Sequence, residues 1–190
     1  MTIKCKTALA SAYFTLDNGK YWILNYIYNC LYKCLDKSKF HFIETDTDSL
    51  YFAVSGNEKK GIDQGFSEIV VNKEKWNCIE EEMFKEKRLL GFAVEKIGKE
   101  MYAIAPKQYA IFDGKNEVLK NKGINMKTSE GRMSDYVNVI ERGCPMLEKG
   151  INELRTIGGK KMKIVLDKWA LTGIQNKMRV MQNGTCYPFI

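Results

Sequence analysis

Two aspartates one residue apart, Asp46 and Asp48, stand in the run Glu44-Thr45-Asp46-Thr47-Asp48-Ser49-Leu50-Tyr51-Phe52. Carboxylates so close repel each other, and a hard cation such as Mg²⁺, which takes oxygen ligands, relieves that repulsion. Asp and Ser are also ordinary turn residues, so a lone D-x-D reads equally as a surface turn. The setting adds weight: Ile43 precedes the turn, Leu50, Tyr51 and Phe52 follow it, and Thr47 and Ser49 complete it. A second group lies downstream in Pro106-Lys107-Gln108-Tyr109. There an ammonium that can hold a phosphate sits two residues from a phenol that can position the same strand. Taken alone, this is a strand lysine beside a core tyrosine. Lys122-Gly123-Ile124 follows, with Lys120 and Lys127 able to track a polyanion electrostatically.

The elements that must carry these groups read as α+β with an antiparallel sheet. Asp17 reads as an N-cap, and Tyr21 to Leu35 as a helix whose Ile23, Ile27, Cys30/Leu31 and Cys34/Leu35 bury one face. Tyr26, Tyr28 and Tyr32 widen that apolar surface. Phe40–Ile43 and Leu50–Val54 form a hairpin joined by Glu44–Ser49. Gly56–Gly65 is a loop, and Phe66 to Arg88 is mostly helical around acidic Glu80–Glu82. Strands are expected at Phe92–Ile97, Met101–Ala105, Gln108–Phe112 and Glu117–Asn121, with Asp113-Gly114 as a hairpin turn. Met133 to Leu154 reads as helical, broken at Gly143-Cys144-Pro145, and Ile164–Leu171 and Met178–Met181 as short closing strands, the second alternatively a helix.

Composition narrows the classes. The 190 residues are 45% hydrophobic and 28% charged, which suits a folded core and excludes wholesale disorder. No apolar run approaches the length that crosses a bilayer, and no secretory segment follows Met1, so no membrane partner is expected. The six cysteines contain no C-x-x-C pair and His41 is the single histidine, which argues against structural zinc. Scattered thiols fit an intracellular, reducing compartment. The net charge of +7 is uneven. Residues 1–44 hold six basic side chains against three acidic, residues 45–84 four against nine, and residues 85–190 twenty against eleven. An acidic centre suited to a cation precedes a basic arm suited to phosphates.

In that setting Asp46-Thr47-Asp48-Ser49 resembles the third palm motif of family B DNA polymerases. Ile43–Ser55 is similar to the protein-primed branch found in linear plasmids, adenoviruses and self-synthesising transposons. Asp46-Thr47-Asp48-Ser49-Leu50-Tyr51 also fits D-x-x-S-L-Y, that family's first palm motif, but Phe52 stands where proline normally follows. Order decides for the third motif. Lys87–Phe92 and Met101–Ala105 are similar to the strand pair that leads into K-x-Y, Lys107-Gln108-Tyr109 resembles K-x-Y itself, and Lys122-Gly123 the lysine–glycine element after it.

The resemblance implies an antiparallel palm with packed helices over residues 1–127 and a small basic thumb-like region over 128–190. It implies Asp48 as direct ligand of two Mg²⁺ ions, Asp46 as the supporting carboxylate, and Lys107, Tyr109 and Lys122 on DNA. Primer-template DNA, dNTP and a terminal protein primer are the implied partners. Neither the first palm motif nor a K-x-x-x-N-S-x-Y-G fingers helix is found, so a missing N-terminal palm and fingers segment is a further implied partner. The chain reads as a palm and thumb piece, inactive alone. The competing readings are a non-catalytic DNA-binding fragment, or a subunit completed by another polypeptide. A Mg²⁺-dependent phosphohydrolase would draw on Glu80–Glu82, and a purely structural role would leave the two ordered motifs unexplained.

Overall fold

The computed structural model of the chain describes residues 9–78, 94–174, 178–183 and 186–188. Its helices and antiparallel strands make it an α+β protein. It divides into two compact units, Met1–Lys96 and Ile97–Ile190. The palm–thumb boundary drawn after residue 127 falls within the second unit, ahead of the helix that starts at Met133. Among the described residues, strand pairing is distributed over four separate antiparallel sheets rather than one.

In the first unit, helix α1 (Leu9–Tyr26) runs through one wide π-helical turn at Ile27–Leu31 into α2 (Tyr32–Cys34). Ile23, Ile27, Leu31 and Leu35 recur every four residues and are all buried, the expected face. Each such burial contributes about 1.5–3 kcal/mol. Cys34 joins that core as a free thiol, pushed up in pKa by its burial, and Cys30 is half-buried. Asp17 is not an N-cap. It lies inside α1, because Leu9–Asn18 contains no helix breaker and Gly19 alone weakens a helix by only about 1 kcal/mol. Tyr13, Phe14, Leu16, Tyr21, Trp22 and Leu24 on this helix are exposed.

Strands β1 (Phe40–Asp46) and β2 (Ser49–Val54) follow as an antiparallel hairpin. A 3₁₀ turn at Gly61–Gln64 leads to a segment that caps the helix end. There Asp36 N–H donates to the Ile69 carbonyl and Val71 N–H to the Cys34 carbonyl, both at 2.8 Å. Those bonds occupy the backbone that the expected Phe66–Arg88 helix needed, so helix α3 begins only at 73 and is described to 78. The expected strand at Phe92–Ile97 is not formed over 94–97. Glu80–Glu82 and Lys87–Phe92 lie outside the described residues.

The second unit is built on strands β3 (Glu100–Ala105), β4 (Gln108–Phe112) and β5 (Glu117–Lys120), in the order β3-β4-β5. Asp113 makes the β4–β5 turn: its carboxylate accepts the N–H groups of Lys115 and Asn116 at 2.7 Å. Hydrogen bonds from the Asn116 backbone and side chain hold its pKa below the usual range. Helix α4 (Met133–Arg142) lays Met133, Tyr136 and Val139 against Ala110 and Leu171. Gly143 stops the helix with its left-handed φ of +63°, its N–H closing the last turn on the Val139 carbonyl at 3.1 Å. The expected helical continuation to Leu154 is therefore wrong. With Pro145 blocking the helix, the chain enters β6 (Met146–Ile157), which pairs antiparallel with β7 (Lys160–Leu171). Short strands β8 (Met178–Val180) and β9 (Cys186–Pro188) close the unit.

Candidate functional site

The acidic turn is held by an aromatic floor. Phe40 and Phe42 on β1 and Leu50, Phe52 and Val54 on β2 pack against the helical core. Phe42 lies 6.1 Å from Phe52, Phe52 5.7 Å from Phe66, and Phe66 4.9 Å from Trp76, centroid to centroid. Such pairs add about 0.5–1.5 kcal/mol each beyond area burial.

Between this floor and the turn the register slips. Phe42 pairs with Phe52 and Glu44 with Tyr51, which leaves Ile43 as an extra residue, a β-bulge. Strict alternation would have put Glu44 and Asp46 on the same side as Phe40 and Phe42. The bulge turns them over, so Glu44 and Asp46 share a face with Tyr51 and Ser49, opposite the aromatic floor. The carboxylate oxygens of Glu44 are shielded from solvent there.

Thr47 and Asp48 form the turn itself. Asp48 N–H donates to the Asp46 carbonyl at 2.6 Å, and the Thr47 hydroxyl donates to Asp46 Oδ1 at 3.2 Å. Thr47 has φ +55°, a left-handed backbone that costs a β-branched residue about 1–2 kcal/mol. Asp46 is half-buried at the strand end and Asp48 exposed at the tip. Both are hard oxygen donors of the kind Mg²⁺ takes, alongside waters and phosphate oxygens. Among the described residues no three His, Cys, Asp or Glu side chains are grouped so as to hold a metal ion.

Lys107 and Tyr109 lie in the second unit, on the β3–β4 hairpin. Pro106-Lys107 is its two-residue turn, with Lys107 at φ +68°, where such a turn favours glycine. Lys107 is exposed, while Tyr109 in the middle strand is only 4% exposed. Two residues apart on a regular strand would share a face. The left-handed turn breaks that rule and leaves a surface lysine and a buried tyrosine. Gln108 between them donates to the Ala170 carbonyl at 3.1 Å, fastening the hairpin to the end of β7. Lys122 is exposed in the turn after β5, which Lys168 braces by donating to the Gly123 carbonyl at 3.3 Å.

Among the described residues Thr47 and Lys107 are the non-glycine positions with positive φ. They fall on the two motifs singled out by residue type, and left-handed non-glycine residues concentrate at functional sites. Composition gave no sign of either. Replacing Thr47 with glycine, which adopts this conformation freely, is expected to leave stability unchanged or raise it by up to about 1 kcal/mol, read by thermal melting. A loss larger than that would mean the Thr47–Asp46 hydrogen bond outweighs the backbone strain.

No family model matches the chain, and neither a curated protein nor a solved structure matches it. Among the described residues no helix is long and apolar enough to cross a membrane.

Proposed function

We propose that this chain carries the third-motif and K-x-Y parts of a DNA-directed DNA polymerase that works by two-metal nucleotidyl transfer. The observation that carries the reading is the coincidence just described, strained turns at both resembling motifs, in the order the family uses. Asp48 and Asp46 would hold Mg²⁺, which when bound polarises phosphoryl oxygens and lowers the pKa of a primer 3′-hydroxyl. The chain's own contribution is positional. The bulge at Ile43 aims Asp46 away from the aromatic floor, and the turn at Thr47 presents Asp48 at an exposed tip. Lys107 and Lys122 would grip phosphates of the primer-template, with buried Tyr109 supporting the Lys107 turn from below.

A two-metal centre needs carboxylates from two palm segments, and these 190 residues offer one by the resemblance. The purified chain is therefore expected to bind primer-template yet show no dNTP incorporation in a primer-extension assay with Mg²⁺. Robust incorporation would show that the site is complete and the assignment of its parts wrong. Failure to bind DNA at all would remove the polymerase reading.

A further inference from the structure

We propose that helix α1 is a dimerisation surface that takes a second copy of this chain, the two helices lying antiparallel about a two-fold axis. This stands on the helix alone and does not require the polymerase reading. The core claims only part of α1. Ile23 and Tyr26 are buried, whereas Leu9, Tyr13, Leu16, Tyr21 and Leu24, with Tyr28 in the π turn that follows, are each more than half exposed.

These side chains lie in two neighbouring stripes with the spacing of a coiled-coil seam. Leu9, Tyr13, Leu16 and Lys20 make the first; Asp17, Tyr21, Leu24 and Tyr28 make the second. Both step by four, three and four residues, a rhythm that reads the same from either end. Turning one helix end for end therefore lays the first stripe of each copy on the second stripe of the other. Tyr13 then meets Leu24, Leu16 meets Tyr21, Leu9 meets Tyr28 and Asp17 meets Lys20, each contact made twice as a two-fold axis requires. At about 100° per residue the eight positions span an arc of about 140°, centred on Tyr13 and Leu24.

Charge selects the partner and the direction. Asp17 and Lys20 are the only charged residues between positions 9 and 28. They lie 4.0 Å apart within one chain, with side chains 47% and 69% exposed. In parallel register each would face its own kind, whereas antiparallel pairing sets opposite charges together at both places. The arc is neutral, so the chain's net charge of +7 does not fall in the contact. A lipid surface asks for several cations on the polar side of a helix, and the lone lysine of α1 sits on the apolar arc. Each exposed tyrosine or leucine offers roughly 100 Å². Six from each copy thus reach about 1,200 Å², the lower end of specific interfaces.

The test is sedimentation velocity on the full chain from about 1 to 100 µM, the range in which an interface of this size assembles. A species of twice the chain mass is expected. Leu24→Glu sets an acid against Tyr13 at two places and should weaken association at least about 100-fold. Lys20→Asp brings four acids together and should weaken it about tenfold or more. Adding Asp17→Lys to that variant restores opposite pairs and should return the affinity to within about threefold of wild type. Trp22→Glu, an exposed apolar position on the far side of the helix, should leave the dimer intact. Asp48→Ala should do the same, which separates this proposal from the metal site. A monomer throughout that range overturns the proposal, as do aggregates of no fixed mass, a charge swap that fails to rescue, or equal losses in Trp22→Glu and Leu24→Glu. Co-flotation with anionic phospholipid vesicles in place of a dimer overturns it too.

Discussion

Asp48→Ala is expected to abolish Mg²⁺-dependent primer extension, by about 10³-fold or more, in an enzyme completed with the absent carboxylate segment. Removing a single oxyanion-stabilising donor costs about 10²–10³ in rate, and a carboxylate that seats the metal carries more of the transition-state charge than one donor does. Asp48→Asn keeps the shape but not the charge, so it should fail as badly. Duplex affinity, measured by fluorescence anisotropy, should stay level or rise slightly, because a repulsive charge near the phosphates has gone. Extension that survives either substitution would show that Asp48 does not hold the catalytic metal. A loss of DNA binding instead would mean that the turn is a structural part of the DNA surface.

Tyr136→Ala should destabilise the second unit by about 3–5 kcal/mol, the range for emptying a large aromatic site in a packed core. Tyr136 is 1% exposed among Ala110, Met133, Val139 and Leu171, and its hydroxyl donates to the Lys120 carbonyl at 2.9 Å. Tyr136→Phe keeps the ring and loses that bond, for about 1–2 kcal/mol. Amide exchange in β4, whose Ala110 packs in the same core, is the measurement that isolates the effect. Exchange in β4 that is unchanged by Tyr136→Ala would show that the core is held elsewhere.

The same residue sets an alkaline limit. Burial, reinforced by the nearby Asp135 and Glu148 charges, pushes the Tyr136 hydroxyl up to about 12. In the unfolded chain it ionises near its ordinary value of about 10. The folded state's advantage is therefore complete below about pH 10 and is lost as pH rises from about 10 to about 12, a change of about 2–3 kcal/mol. Tyr136→Phe should be flat across that window.

How much of this was legible in residue order follows from range. The face Ile23, Ile27, Leu31, Leu35 was readable because helical burial is a local period. The β4–β5 hairpin was readable because Asp113-Gly114 is a local turn signal, and β3 and β4 because their alternation and flanking punctuation are local too. The start of α1 was misread, since Asp17 has the chemistry of a cap and only the continuing helix before it shows otherwise. The β6 strand was misread for the opposite reason. Its apolar positions also satisfy a helical spacing, and only the pairing partner, on the far side of the Gly158-Gly159 turn, selects period two. Gly158-Gly159 between two alternating runs was the local signal that could have corrected it.

Residue types by themselves picked out the acidic turn Asp46-Thr47-Asp48-Ser49 and the Pro106-Lys107-Gln108-Tyr109 turn as places where charge and rigidity meet. The tertiary structure alone decided which way those groups face. A single extra residue at Ile43 moves Asp46 from the aromatic side of its hairpin to the other, and one left-handed residue parts Lys107 from Tyr109. Side-chain direction in a strand is a parity, and parity is fixed by register, which depends on the partner strand and its packing rather than on the residues in line.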